Sequence, residues 1–191
     1  EDGGICCGRP MLTAGRKDAA RQMIEKNTEI IRSSGATVLL LSCPICYRIF
    51  KHDYRLEGIE GLHHSEYIDR LISEKKLDIS GTDLRYAYHD PCELGRGCGI
   101  YDEPRAVIEA VGELLEPAHT GKNALCCGSS VANTAIGDAQ QLTIARSVAA
   151  ELEATGAQTI VTACPLCKKA IARGAANGVV DLSEVVAQNL K

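Results

Sequence analysis

The same cysteine pattern is written twice in this chain, and that repetition constrains the fold more than any other feature. Cys6-Cys7-Gly8 is followed by Cys43-Pro44-Ile45-Cys46, and Cys126-Cys127-Gly128 by Cys164-Pro165-Leu166-Cys167. Residues 8–42 fill the first interval, 35 positions, and residues 128–163 the second, 36 positions. Scattered core thiols do not keep such spacing. Two soft-metal sites are the economical reading.

Ten cysteines in 191 residues also invite a disulfide framework. Such frameworks are usually short, loop-rich and secreted, whereas this chain has long helical stretches, few prolines and a 45% hydrophobic composition. Vicinal cysteines rarely bridge each other, so thiolates held by metal in a reducing cytoplasm are preferred. The formal charge of -4 suggests no nucleic-acid surface. No apolar run approaches the roughly 20 residues of a membrane span. The length suits one large domain or two small lobes. An opening Glu1-Asp2 with no initiator Met leads us to expect that the start of the natural chain is missing.

The repeat extends to secondary structure. Ala20, Met23, Ile24, Asn27 and Ile31 have helical spacing, and Ile144, Ala145, Val148 and Leu152 repeat it 121 positions later. Gly35-Ala36 and Gly156-Ala157 stop both helices. The apolar runs Thr37–Leu41 and Thr159–Thr162 then predict strands buried on both faces of a parallel sheet. Each CPxC follows at the strand end, its proline suited to the first turn of a new helix. A helix N-terminus offers unpaired N–H groups and partial positive charge, which stabilise thiolates. The cysteines thereby gather at the carboxyl ends of strands, where open α/β sheets hold ligands.

Between the repeats, Ser65–Ile72 predicts a capped helix and Leu84–Tyr88 a strand ending in His89-Asp90-Pro91-Cys92. Asp102-Glu103-Pro104 opens a helix through Val111, a short strand follows near Glu113–Pro117, and Ser183–Val186 predicts a terminal helix. The expected fold class is α/β, with two lobes related by a pseudo-twofold, each a small mostly parallel sheet flanked by helices. The first lobe, residues 1–80, is N-terminally incomplete, and the second is residues 81–191. The boundary falls near Gly58–Leu62 or Ile79–Asp83.

Cys92 stands 33 residues (93–125) ahead of Cys126, which gives the second lobe the order C-x33-CC-x36-CxxC. Zinc ribbons and fingers present two short pairs across a loop instead. Two adjacent thiolates reach one tetrahedral ion poorly, yet they can contact different atoms of a polynuclear cluster. With His89-Asp90-Pro91-Cys92-x2-Gly95-Arg96, Tyr101-x2-Pro104-Arg105 and the two second-lobe motifs, the chain resembles the CCG family of cysteine-rich domains. That family includes a cluster-bearing component of heterodisulfide reductase and the iron-sulfur components of glycolate, lactate and glycerol-3-phosphate oxidation systems.

The resemblance implies that Cys92, Cys126, Cys127, Cys164 and Cys167 ligate a noncubane [4Fe-4S] cluster. In the first lobe it implies a metal on Cys6, Cys7, Cys43 and Cys46, either zinc or a second iron-sulfur cluster. The fifth cysteine expected some 33 residues before Cys6 would lie ahead of Glu1. The implied function is a redox domain relaying electrons between cubane clusters or a flavin partner and a disulfide or quinone. Its partners would be a ferredoxin-like two-cluster domain or subunit and a flavoprotein subunit. Its place would be the cytoplasm or the inner face of the membrane. A zinc-stabilised or metal-free interaction module is the alternative, and a cysteine-nucleophile enzyme needs fewer thiols than are present.

Other residues admit two readings. His89 and Arg96 are candidate catalytic groups, His89 as a proton carrier or loop-fixing group, Arg96 and Arg105 as anion binders or ion-pair partners. Cys98 is a sixth thiol near the cluster or an ordinary loop cysteine. His63-His64 reads as a polar cap region, and His52 and His119 as solvated.

Overall fold

The computed structural model describes residues 6–129 and 135–191. The first lobe runs α1 (Arg9–Thr13), α2 (Lys17–Ser33), β1 (Val38–Leu41), α3 (Pro44–His52), β2 (Glu60–His63) and α4 (His64–Ser73). The second runs β3 (Arg85–His89), α5 (Gly95–Cys98), α6 (Asp102–Val111), β4 (Glu113–Leu115), a 3-10 turn at Gly121–Asn123, α7 (Asp138–Glu153), β5 (Thr159–Thr162), α8 (Pro165–Ile171), β6 (Gly178–Asp181) and α9 (Leu182–Gln188). The segment β1-α3-β2-α4 recurs as β5-α8-β6-α9. The predicted α/β architecture of two small parallel sheets flanked by helices is therefore present.

β1 pairs parallel with β2, and the second sheet has the order β4-β3-β5-β6, parallel throughout. Sequence patterns did not announce β2 or β6. β2 occupies residues 60–63, so the boundary expected near Gly58–Leu62 lies within the first sheet. α2 and α7 stop just before Gly35 and Gly156, both with positive φ, as predicted.

The two central strands differ in cover. β5 lies between β3 and β6, and its Ile160 and Val161 are fully buried. β1 has a partner on one side alone among the described residues, and Val38 and Leu40 are 39% and 50% exposed. The expectation that both apolar runs are buried on both faces thus fails for β1. α7 packs on β3 and α8, whereas α2 packs chiefly on α1 and has no strand beneath it among its principal contacts.

The lobes nevertheless share one core. Tyr47 from α3 joins Tyr86, Tyr88, Val107, Ile108, Val111, Val161, Leu182 and Val185, and Leu41, Ile68 and Ile72 pack against that cluster. α4 lies along α6, and α6 along α9, so a helical layer seals the junction. Each fully buried aliphatic or aromatic side chain contributes roughly 1.5–3 kcal/mol. This shared core keeps the cysteine-bearing strand ends side by side.

β2 and β6 end alike. His63 and Asp181 are the N-caps of α4 and α9, accepting from the amides of Ser65 and Ser183. Glu66 and Glu184 complete the boxes, each accepting from its cap's backbone N–H at 2.8 and 2.7 Å. These reciprocal bonds fix the entry angle of both helices.

Candidate metal centre

β5 delivers Cys164 to the N-cap of α8, with Pro165 at the first helical position and Cys167 one turn further on. β3 leads through His89-Asp90-Pro91 to Cys92. The loop ahead of α7 presents Cys126 and Cys127. Cys92, Cys126, Cys127, Cys164 and Cys167 all line a single cavity of about 20 Å³, walled also by Ile45, Pro91, Glu93 and Leu166. The structure therefore brings together all five second-lobe cysteines that the spacing singled out. Cys98 does not line that cavity and sits half-buried near Lys51 and Arg48.

The thiols lie within hydrogen-bonding reach in series, Cys92 to Cys126 to Cys127 to Cys167 to Cys164. Cys126 is held far below the usual thiol range, because Cys127 and Cys92 donate to it and the Gly128 amide adds a further bond. Cys127, donating to Cys126, is pushed up to about 11, and Cys92 is pushed up for the same reason. Cys164 is lowered by the Cys167 thiol, while Cys167 is raised by donating to Cys127 and Cys164. The two lowered thiols, Cys126 and Cys164, are thus separated along the row by the raised Cys127 and Cys167, which limits the repulsion of packing five sulfurs together.

The glycine of each CCG has a conformational task. Gly8 and Gly128 have φ of 92° and 79°, the left-handed region, and a β-carbon on Gly128 would meet Ile144 Cγ2 at 3.0 Å. Only a residue without a side chain turns the chain this tightly against the following helix.

The residues of the His-Asp-Pro-Cys segment and its neighbours hold the backbone that leads into Cys126. His89 is buried, its Nε2 donating to the Leu125 carbonyl at 3.1 Å and its Nδ1 3.4 Å from Thr162 Oγ1. Burial also holds the His89 imidazole below its ordinary range. Arg96 Nη1 donates to the carbonyls of Ala124 at 2.8 Å and Lys122 at 3.2 Å. Asp90 accepts from both arms of Arg105, at 2.9 and 2.8 Å, and from the Gly121 amide at 2.8 Å. Arg105 also reaches Glu116 and Thr120. The loop-fixing reading of His89 and the ion-pair reading of Arg105 describe the contacts these two make, whereas Arg96 bonds backbone carbonyls in place of the ion pair expected of it.

In the first lobe, Cys46 lies within hydrogen-bonding reach of both Cys43 and Cys7, and Cys6 of Cys7. Donation from Cys46 lowers Cys7 and Cys43 to about 6 each and raises Cys46 itself. Cys7 is buried and Cys6 exposed. The two thiol groups adjoin: Cys43 acts electrostatically on Cys164, and Ile45 walls the second-lobe cavity. Among the described residues, no three Cys, His, Asp or Glu side chains converge on a point that suits a single ion.

Glu93 was missed by sequence reasoning. It follows Cys92 directly, and its carboxylate pairs with Arg48 at 2.8 Å and Arg9 at 3.7 Å, residues that follow CPIC and the first CCG. An arginine two positions after the last cysteine of each first-lobe motif was the available signal. His63 was also read too modestly: it is a cap, but a fully buried one.

A comparison with family models places residues 2–51 and 86–172 in the cysteine-rich domain named CCG. The chain belongs to that family. The CCG domain of this chain is 31% identical over 180 residues to one component of the dihydromethanophenazine:CoB–CoM heterodisulfide reductase of Methanosarcina acetivorans, covering 88% of this chain and 44% of that one. It is 29% identical over 180 residues to an EtfAB:quinone oxidoreductase of Syntrophomonas wolfei, covering 88% and 25%. It is 29% identical over 168 residues to an uncharacterized iron-sulfur protein of Methanococcus maripaludis, covering 86% and 32%. The CCG chain thus spans less than half the length of these relatives.

The donor set fits a sulfur-ligated cluster in kind. Five thiols surround one small, largely apolar cavity, two of them vicinal, and Cys164 stands at the N-cap position of α8 with the Leu166 and Cys167 amides in reach of its sulfur. Soft thiolate donors select iron-sulfur clusters, zinc and copper(I), and a row of five suits several metal atoms better than one.

Proposed function

We propose that this chain is an iron-sulfur redox module in which Cys92, Cys126, Cys127, Cys164 and Cys167 ligate a noncubane [4Fe-4S] cluster. The observation that carries the reading is the convergence of those five thiols, and no other cysteine among the described residues, on one cavity. When bound, such a cluster supplies one-electron exchange. Ile45, Pro91 and Leu166 exclude water from it, and the Gly128 amide stabilises anionic sulfur. His89, Asp90, Arg96 and Arg105 keep the two loops in register. The cavity is about the size of one water, so these five thiols would have to release their protons to solvent and move apart to hold a cluster.

Cys6, Cys7, Cys43 and Cys46 hold zinc or a second iron-sulfur cluster in this reading. The module relays electrons between cubane clusters or a flavin partner and a disulfide or quinone, the acceptor classes in the names of its relatives. A ferredoxin-like two-cluster domain or subunit and a flavoprotein subunit are its partners. It works in the cytoplasm or at the inner membrane face; among the described residues no helix is long and apolar enough to cross a membrane.

The test is iron and acid-labile sulfide analysis after anaerobic reconstitution, with Cys127→Ser and Cys98→Ser alongside. Wild type is expected to bind about four irons and four sulfides at the second-lobe site, as a [4Fe-4S] stoichiometry requires. Cys127→Ser abolishes or alters its spectrum, and Cys98→Ser leaves it nearly unchanged. Equal effects from both variants reject the ligand set. Stoichiometric zinc without iron moves the assignment to a zinc-stabilised interaction module.

A further inference from the structure

Beneath the two CPxC turns lies a buried polar group that the thiol sites do not use. His63 and His64, fully and almost fully buried, stack with ring centroids 4.3 Å apart. His63 Nδ1 lies 2.9 Å from Ser65 Oγ, while its Nε2 faces the carbonyls of Ser42 and Ala163 without a well-formed hydrogen bond. Those two residues immediately precede Cys43 and Cys164, so one ring touches the backbone entering both CPxC motifs. Neither ring nitrogen of His64 has a hydrogen-bond partner among the described residues. Its Nε2 stands 3.3 Å from Asp181 Oδ1, within ion-pair range but off the hydrogen-bond direction.

An unpaired buried polar nitrogen costs roughly 1–3 kcal/mol, and here three adjoining nitrogens have at best poorly aligned partners, a concentration that calls for a function. The site also has a route to solvent. A surface groove of about 390 Å³ is lined by Ser42, Pro165, Lys168, Asp181, Ser183 and Glu184, and so opens on the carboxylate that His64 faces.

We propose that His64 and Asp181 form a proton-accepting site coupled to electron uptake at the adjoining thiol-held centre. One electron enters that centre from a low-potential iron-sulfur donor, and one proton passes from solvent along the groove to the His64 imidazole. Net charge in the buried region is then unchanged. The proton, held against Asp181, offsets an electron that the low dielectric would otherwise penalise. His63 is the positioning residue between the proton site and the two cysteine turns.

The groups facing His64 agree with this role. Asp181 from the β6-α9 junction is the carboxylate in direct contact, and Glu184 is committed to Lys168 of α8 and to the Asp181 amide. From α4, Glu66 is committed to the His63 amide. From α3, Tyr47 packs edge-on against His63, with Cys98 of α5 and Glu103 of α6 beyond it.

This inference rests on the redox reading above, and the experiment separates the two. Protein reconstituted anaerobically with ferrous iron and sulfide is titrated with dithionite from pH 6 to 8, after its iron and sulfide are counted. The wild-type midpoint is expected to fall tenfold in equilibrium constant per pH unit, about 59 mV for one electron. His64→Gln and Asp181→Asn at unchanged iron content lose more than half of that slope, Asn retaining the helix cap. Redox-difference infrared spectra of wild type with isotope-labelled histidine are expected to show one imidazole gaining a proton on reduction, and this measurement stands if a variant fails to fold. A cluster whose potential ignores pH, or a slope equal in wild type and His64→Gln, overturns the proton site alone. Failure to assemble any cluster overturns the redox reading and the proton site with it.

Discussion

Glu93 Oε2 accepts a hydrogen bond from Arg48 Nη1 at 2.8 Å across the junction between the two lobes. The side chains are 19% and 38% exposed, so water screens the pair. Such pairs contribute about 0.2–1 kcal/mol. Glu93→Gln is therefore expected to lower stability in urea by less than about 1 kcal/mol. Alkylation of Cys92 should nevertheless quicken, because the residue beside it is no longer tethered to the first-lobe loops. Unchanged labelling of Cys92 would remove the tether from the account.

Arg105 and Asp90 are a different kind of pair. Asp90 is 3% exposed, Arg105 18%, and two parallel bonds join them. Removing Arg105 strands a buried carboxylate, a change that costs roughly 3–5 kcal/mol. Arg105→Ala should show that loss by urea denaturation, and Arg105→Lys, which cannot make the fork, about half of it. A double-mutant cycle with Asp90→Asn is expected to be strongly non-additive.

Acid should weaken the fold through its buried histidines. Burial, reinforced by the neighbouring His64, lowers the His63 imidazole to about 3. An unfolded histidine binds a proton below about 6.5. Between those values the unfolded chain holds more protons than the folded one, so stability falls as pH drops through the window. The expected loss from pH 6.5 to pH 5 is about 1.5–2 kcal/mol from this residue. Urea melts across that range should show it, and His63→Asn, which keeps an N-cap, should flatten the slope.

Gly128→Ala is expected to cost about 1–2 kcal/mol for the left-handed backbone. Contact with Ile144 adds to that cost. Gly8→Ala has the same backbone penalty but a looser surround, its nearest atom being Ala20 O at 3.4 Å. Chemical denaturation should rank Gly128→Ala as the more damaging. Iron uptake at the second-lobe thiols should fall in that variant and hold in Gly8→Ala.

Much of this site could be read in advance because covalent spacing encodes it. Glycine stops, β-branched runs and Pro after Cys each act within a few residues, so the helix, strand and CPxC turn of each repeat were legible. β2 and β6 were not. Glu60-Gly61-Leu62-His63 and Gly178-Val179-Val180-Asp181 are four-residue strands, too short for a period to show, and pairing with β1 and β5 defines them. The cap signal three residues ahead of Glu66 and Glu184 was available and would have found their ends. Apart from the Tyr101 carbonyl, which Arg105 reaches within its own helix turn, the partners of His89, Arg96 and Arg105 lie 11 to 73 residues away in sequence, and no local rule reaches that far. The exposure of β1 was hidden for the same reason: burial depends on neighbours that residue composition does not name.

That half-covered strand sets an order of events. A two-stranded sheet with exposed Val38 and Leu40 has less to lose by opening than one of four strands around fully buried Ile160 and Val161. Local openings of low free energy come from such regions. Amide protons of Leu39 and Leu41 should exchange well before those of Ile160 and Val161. Cys43 and Cys46 ride on the end of the looser strand, so reagents and metal ions arriving from solution meet them first. Thiol labelling is expected to reach Cys43 and Cys46 before the buried Cys164 and Cys167, a difference in kinetics between two motifs that are written almost alike.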